Sequence, residues 1–375
     1  METTTRALSI GIFVARWPPA HLGGAELQAA RTARELAARG HAVHVFTRRV
    51  GKQTLECAPG VTLHTRAVIP LPGLRLIGEV LLGARQARRQ RTDVNLCYIT
   101  LNSGLLGYAA RRLSHTPCVI SLRSVAEALP RAGSWRARLR RFLYERADQV
   151  WVQSAGLVEI MRQAYEGVGL QASWRRIEPR LRVVANGVEF RAPPPHESLP
   201  PRRFLFVGRL VPEKNLPVLL EAACGLRDAE VQIVGDGPLR DELEQRARGT
   251  PVRFLGRRRP DEVVGLLRDC RALVLCSKVE GMPNSVLEAL AHGRPVIATP
   301  VGAVPELVQD AVNGCVVAVG SAPALRDAIL RLSDDDTWRR LAAGARSSVE
   351  RFAWPRIAAD LEAALFELVS GARRS

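Results

Sequence analysis

Residues 272–299 read ALVLCSKVEGMPNSVLEALAHGRPVIAT, and this stretch decides the fold class. Its first part, ALVLCS (272–277), is almost entirely apolar, as expected for a strand buried on both faces. Pro283 and Asn284 are typical of the first positions of a helix, and apolar residues follow them at helical spacing. A second apolar run, PVIAT (295–299), comes directly after the helix. This strand–helix–strand order predicts a parallel β-sheet covered by helices.

The same unit recurs on both sides of this stretch. Apolar runs alternate with helical patterns through two halves of the chain, which predicts two doubly wound α/β sheets. The predicted strands lie at 7–15, 41–47, 93–100, 116–123, 147–154 and 181–188 in the first half, and at 203–210, 230–237, 252–256, 272–277, 295–299 and 314–319 in the second.

Domain boundaries follow from length and from proline content. A chain of 375 residues exceeds the usual size of a single core. Residues 191–202, RAPPPHESLPPR, hold five prolines in a polar context and form the predicted linker. We therefore expect an N-terminal domain over 1–190 and a C-terminal domain over 203–355. Ligands of such sheets bind at the carboxyl ends of the strands, and two facing sheets would form a cleft.

The charge is strongly basic and unevenly distributed. The chain holds 54 Lys and Arg against 37 Asp and Glu. Residues 1–200 contain 29 basic and 14 acidic residues, a net charge of +15, whereas residues 201–375 contribute only +2. This field favours an anionic partner for the first half: a phosphorylated substrate, a membrane face or nucleic acid. A general preference for arginine in the genome is the competing interpretation, although it leaves the balanced second half unexplained.

The remaining composition narrows the cellular context. Seven scattered cysteines without a C-x-x-C pair indicate neither a disulfide framework nor a zinc site, and they fit a reducing cytoplasm. The first apolar run is too short for a signal peptide, and no segment is long enough for a membrane span. No histidine cluster has metal-ligand spacing, so we expect no required metal.

Three loops at predicted strand ends are candidates for binding. Gly23 and Gly24 would let a ligand approach the start of the first helix, or they simply form a turn. Arg209 and Lys214 follow the first strand of the second half and suit a diphosphate; pairing with Glu213 is the alternative.

The third loop, VGDG (234–237), contains Gly235 and Gly237. It resembles the start of a dinucleotide fingerprint but has Arg240 where the third glycine belongs, which gives a dinucleotide site only weak support. A turn that contacts a base or a ribose is an equally good interpretation.

The segment EGMPNSVLE (280–288) carries the most specific chemistry. The backbone N–H groups of about residues 282–286 would cradle phosphate oxygens at a helix start. Glu288, one turn further, could accept hydrogen bonds from ribose hydroxyls, and Glu280 could meet a sugar hydroxyl. The alternative is that both glutamates only complement the helix dipole.

Together these segments resemble the retaining glycosyltransferases of family 4, which have the GT-B fold. The resemblance covers nearly the whole chain and rests on GGAE (23–26), NGVEF (186–190), VGRLVPEKN (207–215), VGDGPL (234–239) and EGMPNSVLEALAHGRPVIATPVGAVPEL (280–307). It implies two Rossmann-like domains facing a cleft. A C-terminal helix, 356–375, would cross back to complete the N-terminal acceptor domain.

The resemblance also implies the site. Arg209 and Lys214 would hold the diphosphate, Glu280 the donor sugar and Glu288 the ribose. The reaction implied is metal-independent transfer with retention, in which the cations stabilise the developing charge of the leaving diphosphate. The donor-binding residues carried over are Gly23, Gly24, Gly208, Arg209, Lys214, Gly235, Gly237, Glu280, Gly281, Met282, Pro283, Asn284, Ser285, Val286 and Glu288. The nucleotide sugar, with a UDP-sugar favoured, is a co-substrate, and we expect no cofactor.

One position departs from the family pattern. Many members carry a histidine after the strand that corresponds to PCVISLRS (117–124), and here that position is Arg123, followed by Ser124 in place of the usual glycine. An arginine cannot act as a base at neutral pH. It can bind a sugar hydroxyl or an acceptor phosphate, so Arg123 joins Arg209, Lys214 and Glu280 as a candidate catalytic residue and favours an anionic acceptor.

Two basic segments, 74–91 and 134–151, have amphipathic helical patterns that suit an anionic membrane surface; packing in the domain core is the alternative for each. We therefore expect an enzyme that is cytoplasmic or peripheral on the inner face of the cytoplasmic membrane. It would act on a lipid-linked or phosphorylated glycan in cell-surface polysaccharide or glycolipid synthesis. A small soluble acceptor is the first alternative. An epimerase or phosphorylase of the same fold and a basic nucleic-acid-binding protein are remote ones.

Overall fold

The computed structural model describes residues 7–18, 23–48, 57–66, 74–98, 100–130, 134–190 and 199–372. Their β-strands are β1 (Ser9–Phe13), β2 (Ala42–Arg48), β3 (Val61–Arg66), β4 (Val94–Tyr98), β5 (Cys118–Ser121), β6 (Gln149–Val152), β7 (Leu181–Val183), β8 (Arg203–Val207), β9 (Glu230–Val234), β10 (Val252–Gly256), β11 (Ala272–Leu275), β12 (Val296–Ala298) and β13 (Gly314–Val316).

Helices connect most of these strands. They are α1 (Gly24–Ala38), α2 (Leu74–Gln90), α3 (Thr100–Ser114), α4 (Val125–Ala128), α5 (Trp135–Arg146), α6 (Ala155–Gly167), α7 (Gln171–Ile177), α8 (Leu216–Ala223), α9 (Arg240–Arg246), α10 (Pro260–Asp269), α11 (Asn284–Ala291), α12 (Val304–Leu307), α13 (Ala322–Ser333), α14 (Asp335–Ala345) and α15 (Trp354–Ala372). Short 3-10 helices lie at Glu178–Arg180, Pro212–Lys214 and Ser347–Phe352.

The strands form two parallel sheets. The first has the order β3-β2-β1-β4-β5-β6-β7, and the second has the order β10-β9-β8-β11-β12-β13. In both sheets the order reverses beside the first strand, β1 or β8, because the chain crosses back over it to reach β4 or β11. Such reversal points are where ligands bind in open α/β sheets. The predicted doubly wound α/β class is therefore confirmed.

Burial explains why the strand sequences are so uniformly apolar. Every residue of β4 and β11 is buried, because helices cover both faces of a parallel sheet. Side-chain caps fix several helix starts: the hydroxyl oxygens of Ser154 and Ser321 accept hydrogen bonds from the first turns of α6 and α13.

The chain divides into two compact units. The first comprises residues 1–187 and 354–375, and the second comprises residues 188–353. Helix α15 therefore belongs to the first unit, where the ring of Trp354 lies against Gly187. Glu362 of α15 accepts a hydrogen bond from His41 Nε2 at 2.9 Å and pairs with Arg39. The backbone N–H of Leu8 donates to His41 Nδ1 at 3.1 Å, so a neutral imidazole already satisfies both partners.

Some local predictions differ from the structure. Strand β3 was not expected, because the sequence VTLHTR alternates polar and apolar residues at the sheet edge instead of forming an apolar run. Within SDDDTW (333–338), Asp334 caps α14 by accepting a hydrogen bond from the backbone N–H of Thr337, whereas Ser333 ends α13. Most of the predicted linker, 191–198, lies outside the described residues. Among the described helices, none is long and apolar enough to cross a bilayer.

Candidate functional site

The loops after β8 and β11 meet at the reversal point of the second sheet. The backbone N–H of Lys278 donates to the carbonyl oxygen of Glu213 at 2.8 Å, which ties the two loops together. The thiol of Cys276 lies 3.2 Å from the carbonyl oxygen of Lys214. Burial raises the pKa of this thiol to about 12, so it is a neutral donor at physiological pH. These contacts hold Lys214 against the end of β11.

Glu280 is the centre of this site. Its Oε1 lies 2.5 Å from Lys214 Nζ and 2.6 Å from Ser277 Oγ. The side chains of Lys214 and Glu280 are 21% and 10% exposed, so the ion pair is mostly enclosed and yet reachable from solvent. A mostly enclosed pair is screened far less by water than a surface pair. The sequence predicted roles for both charges but not their direct contact.

The backbone behind Glu280 is fixed by the loop after β12. Gly302 has φ +58°, and a Cβ there would lie 2.0 Å from the carbonyl oxygen of Glu280 and 2.6 Å from that of Gly281. The next residue, Ala303, donates its N–H to the same Gly281 oxygen at 2.8 Å. Only glycine allows the backbone at position 302 to come this close to the backbone of Glu280 and Gly281. Gly302 therefore helps to position Glu280, and the sequence analysis did not identify it.

Helix α11 begins directly after this loop, with Pro283 as its cap. The side chains of Met282 and Val286 are buried, so they can meet a ligand only through their backbones, whereas Asn284 and Ser285 are half-buried. The first N–H groups of any helix have no acceptor within the helix and attract anions. Glu288 lies one turn into α11 and is half-buried.

Arg209 differs from Lys214 in its surroundings. Its side chain is exposed, and within the described part of the chain this side chain forms no hydrogen bond or ion pair. Gly208, beside it, donates its N–H to the carbonyl oxygen of Val234 at the end of β9.

Close packing against the loop after β8 explains why VGDG contains two glycines. A Cβ on Gly235 would lie 1.8 Å from the carbonyl oxygen of Gly208, and one on Gly237 would lie 2.3 Å from that of Leu210. Their glycine identity is thus required to position the loop that carries Arg209, whether or not they touch a ligand.

The first unit places Gly23 as the cap of α1 and Gly24 as its first residue. Arg123 lies elsewhere on that sheet, directly after β5. Its Nε–H donates to Ser121 Oγ at 2.8 Å, and its Nη1–H donates to Asn186 Oδ1 at 2.5 Å. Its guanidinium carbon lies 5.1 Å from the centre of the Tyr98 ring. Asn186 belongs to the NGVEF segment, and sequence reasoning gave it no role of its own.

Comparison with known proteins identifies the class. The family model described as glycosyl transferase 4-like domain matches residues 23–187, and the one described as glycosyl transferases group 1 matches residues 201–335. A D-inositol 3-phosphate glycosyltransferase of Geodermatophilus obscurus is 31% identical over 91% of this chain and 84% of its own. An uncharacterized glycosyltransferase of Methanocaldococcus jannaschii is 32% identical, over 40% of this chain and 44% of its own length.

Solved structures agree on the fold. The structure of HepE from Anabaena in complex with UDP and glucose has a TM-score of 0.76 at 21% identity, covering 96% of this chain and 99% of HepE. The fold and the comparisons together define a glycosyltransferase of the GT-B class. The chain belongs to the family 4-like glycosyltransferases.

Proposed function

We propose that this enzyme moves a sugar, with retention of the anomeric configuration and without a required metal, from a nucleotide-diphosphate sugar to an anionic or lipid-linked acceptor. The observation that carries the proposal is the enclosed Lys214–Glu280 pair at the reversal point of the second sheet, directly before α11. This arrangement combines a cation, a carboxylate and a helix start within one pair of strand-end loops.

The charges of the second unit suit a diphosphate leaving group. Arg209 is exposed and unpaired within the described residues, so it can bind phosphate oxygens without breaking a contact. Lys214 must exchange part of its contact with Glu280 for the ligand. Two cations and the N–H groups at the start of α11 would then stabilise the negative charge that develops on the diphosphate as the sugar departs.

The two glutamates fit positioning roles better than nucleophilic ones. Glu280 Oε1 already accepts hydrogen bonds from a lysine and a serine, which lowers its reactivity but leaves its second oxygen for a sugar hydroxyl. Glu288 is placed one turn into α11, where it would accept hydrogen bonds from ribose. With no protein nucleophile in these roles, the acceptor itself would attack on the face from which the diphosphate leaves.

UDP-sugars are the favoured donors. HepE, which shares the fold, was solved with UDP and with UDP-glucose. A phosphorylated acceptor is supported by the basic first half and by the relative from Geodermatophilus obscurus, whose name specifies D-inositol 3-phosphate.

The direct test has two stages. A thermal-shift screen against UDP, GDP, ADP and dTDP and their sugars should show stabilisation by one nucleotide, with UDP expected. Product analysis with that donor should then show release of the nucleoside diphosphate and an unchanged anomeric configuration in the product. An epimerised donor would instead favour an epimerase, and nucleotide-independent phosphorolysis would favour a phosphorylase.

A lipid-linked acceptor is supported by the surface of the first unit. Trp135 of α5 is 56% exposed, and Leu81 and Leu82 of α2 are 53% and 52% exposed. Exposed arginines accompany them on the same helices, at Arg85, Arg88, Arg89, Arg136 and Arg138. Exposed apolar side chains next to cations suit the interface of an anionic membrane.

Co-sedimentation with vesicles tests this surface. Vesicles that contain phosphatidylglycerol should retain the protein at low salt, and Trp135→Ser should weaken the retention several-fold, because it removes the largest exposed apolar side chain of α5. Val183→Ser, at a site that is 50% exposed on β7, is the control for a general loss of surface hydrophobicity. Equal sedimentation with and without vesicles would favour a small soluble acceptor.

A further inference from the structure

Arg123 carries a charge that no described residue neutralises. Its guanidinium donates to Ser121 Oγ and Asn186 Oδ1 and lies over the ring of Tyr98. All of these partners are neutral, and Arg123 forms no ion pair within the described part of the chain. Two of its five N–H donors are used in these hydrogen bonds and Tyr98 also acts as a hydrogen-bond partner, so the guanidinium keeps donors for another acceptor.

The surroundings make this unneutralised charge costly. Burial lowers the pKa of Arg123, because the charged form loses hydration that its partners do not fully replace. The group nevertheless stays protonated at neutral pH, since a guanidinium is too weak an acid to lose its proton in a protein. A partly buried cation without a counter-ion is stabilised strongly by any anion that reaches it.

A second unsatisfied group lies next to Arg123. Gln153 follows β6 and is only 3% exposed, and its Nε2–H donates at 3.1 Å to the same Asn186 Oδ1 that Arg123 contacts. Its Oε1 is buried and has no hydrogen-bond partner among the described residues. A buried amide oxygen of this kind requires a donor. Within the described part of the chain, the site therefore lacks an anion at Arg123 and a hydrogen-bond donor at Gln153.

The position of these groups identifies them as one site. Arg123 follows β5, Gln153 follows β6 and Asn186 follows β7, and these strands are neighbours in the sheet. Their carboxyl ends lie at the same edge, because the strands are parallel. Asn186 Oδ1 joins the two groups by accepting a hydrogen bond from each.

We propose that Arg123 and Gln153 form an oxyanion-binding subsite that selects acceptors with a phosphate or carboxylate group next to a hydroxyl. The anion pairs with the free N–H groups of Arg123, and the hydroxyl donates to Gln153 Oε1. The identification of the bound anion as an acceptor rests on the proposed transferase function. The prediction that the subsite binds an anion does not. The donor diphosphate is left to Arg209 and Lys214 of the second unit.

Isothermal titration of the full-length protein tests the subsite, with inorganic phosphate and acetate as probes. Saturating UDP is present so that the cations of the second unit are occupied. Arg123→Gln should weaken binding of the better probe about tenfold or more, because it removes a charge-assisted fork. Arg175→Gln, which removes an exposed arginine at the end of α7, should leave the affinity unchanged. A preference for phosphate indicates a phosphorylated acceptor, and a preference for acetate indicates an acidic sugar.

A second variant covers the case in which Arg123→Gln fails to fold. Gln153→Glu keeps Arg123 and places a carboxylate beside it, so the protein supplies its own anion and binding of both probes should be lost. Unchanged affinity in either folded variant, or no binding of either probe to the wild type, would overturn the proposal. If UDP itself does not bind, the proposed function fails, and the same titrations in an Arg209→Gln background still decide the subsite.

Discussion

Each unit has a cation at the carboxyl edge of its parallel sheet. The two cations differ in whether a described carboxylate neutralises them. In the second unit, Lys214 is paired with Glu280 at 2.5 Å. In the first unit, the described partners of Arg123 are neutral oxygens and an aromatic ring. The same contrast holds for the sequence as a whole, since residues 1–200 carry +15 and residues 201–375 carry +2. The charge of Lys214 is therefore neutralised without a ligand, whereas the charge of Arg123 has no counter-ion among the described residues.

This difference predicts that the two units bind their ligands in different ways. Binding to the second unit requires an exchange, because a diphosphate must compete with Glu280 for Lys214. The exchange favours ligands whose sugar satisfies Glu280 at the same time. Binding to the first unit adds a missing charge and so depends mainly on the anion. Three substitutions in the second unit test this contrast, and a fourth in the first unit tests how α15 is attached.

The largest effect is expected from Gly302→Ala. The added Cβ would overlap the carbonyl oxygens of Glu280 and Gly281, so the backbone of these two residues must move. The Glu280 side chain, which pairs with Lys214, would move with it. We expect UDP binding and sugar transfer to fall below detection. Gly320→Ala is the matched control, because Gly320 also has a positive φ, +80°, but has no atom within 4 Å of the added Cβ. Equal titration curves for the two variants would show that Gly302 does not position the site.

Glu280→Gln removes the counter-ion of Lys214. Like Arg123, Lys214 then has no described residue that neutralises its charge. The substitution removes the negative charge opposite Lys214 and keeps a group of the same shape. We expect sugar transfer to fall about a hundredfold, as for loss of one preorganised polar contact in an active site. UDP without a sugar should bind at least as tightly as before, because its phosphates no longer compete with a carboxylate.

The control for this variant is Glu213→Gln, which removes an exposed carboxylate from the neighbouring loop. Calorimetry with UDP and with the UDP-sugar, together with transfer rates, separates the two effects. A parallel loss of affinity for both ligands would mean that Glu280 acts on the nucleotide and not on the sugar.

A smaller effect is expected from Glu288→Ala. If this carboxylate accepts hydrogen bonds from ribose, its removal should weaken UDP about tenfold. A 2′,3′-dideoxy analogue of UDP should bind the variant and the wild type equally. Glu221→Ala, which removes an exposed glutamate from α8, should change neither affinity. Equal losses for UDP and its dideoxy analogue would contradict the ribose assignment.

The smallest effect concerns the first unit and lies away from any proposed site. Burial acts to raise the pKa of Glu362, but hydrogen bonds from Arg39 and His41 outweigh it and hold the pKa below its usual range. A lowered pKa means that the carboxylate stabilises the folded state above the unfolded pKa and stops doing so as pH falls through the folded value. Glu362→Gln should therefore lower the free energy of unfolding by about 1 kcal/mol at pH 7.

Denaturant unfolding at several pH values checks this. The difference from the wild type should shrink as the pH falls below about 4, where the wild-type carboxylate also becomes protonated. Glu367→Gln is the comparison on the same helix, because Glu367 is 64% exposed in its pair with Arg182 and should contribute less. A pH-independent difference for Glu362→Gln would show that packing, and not charge, attaches α15.

The sequence was sufficient for the elements and the class. The mostly apolar runs of β4 and β11 and the helix-start residues Pro283 and Asn284 are local signals, and the structure contains the corresponding elements. It failed at β3, because the short alternating sequence VTLHTR lacks the apolar run by which the other strands were identified. Local patterns predict elements well because the backbone periodicities that they reflect are local.

The sequence alone was enough to predict two α/β halves, their charge difference and the importance of the segment EGMPNSVLE (280–288). Only the tertiary structure decided that Glu280 pairs with Lys214, 66 residues away, and that Arg123 contacts Asn186, 63 residues away. Each contact joins loops at the ends of different strands, and which strands are neighbours depends on how the whole sheet packs. The order that places β8 beside β11 thus determines which charges meet, and no short stretch of sequence contains that information.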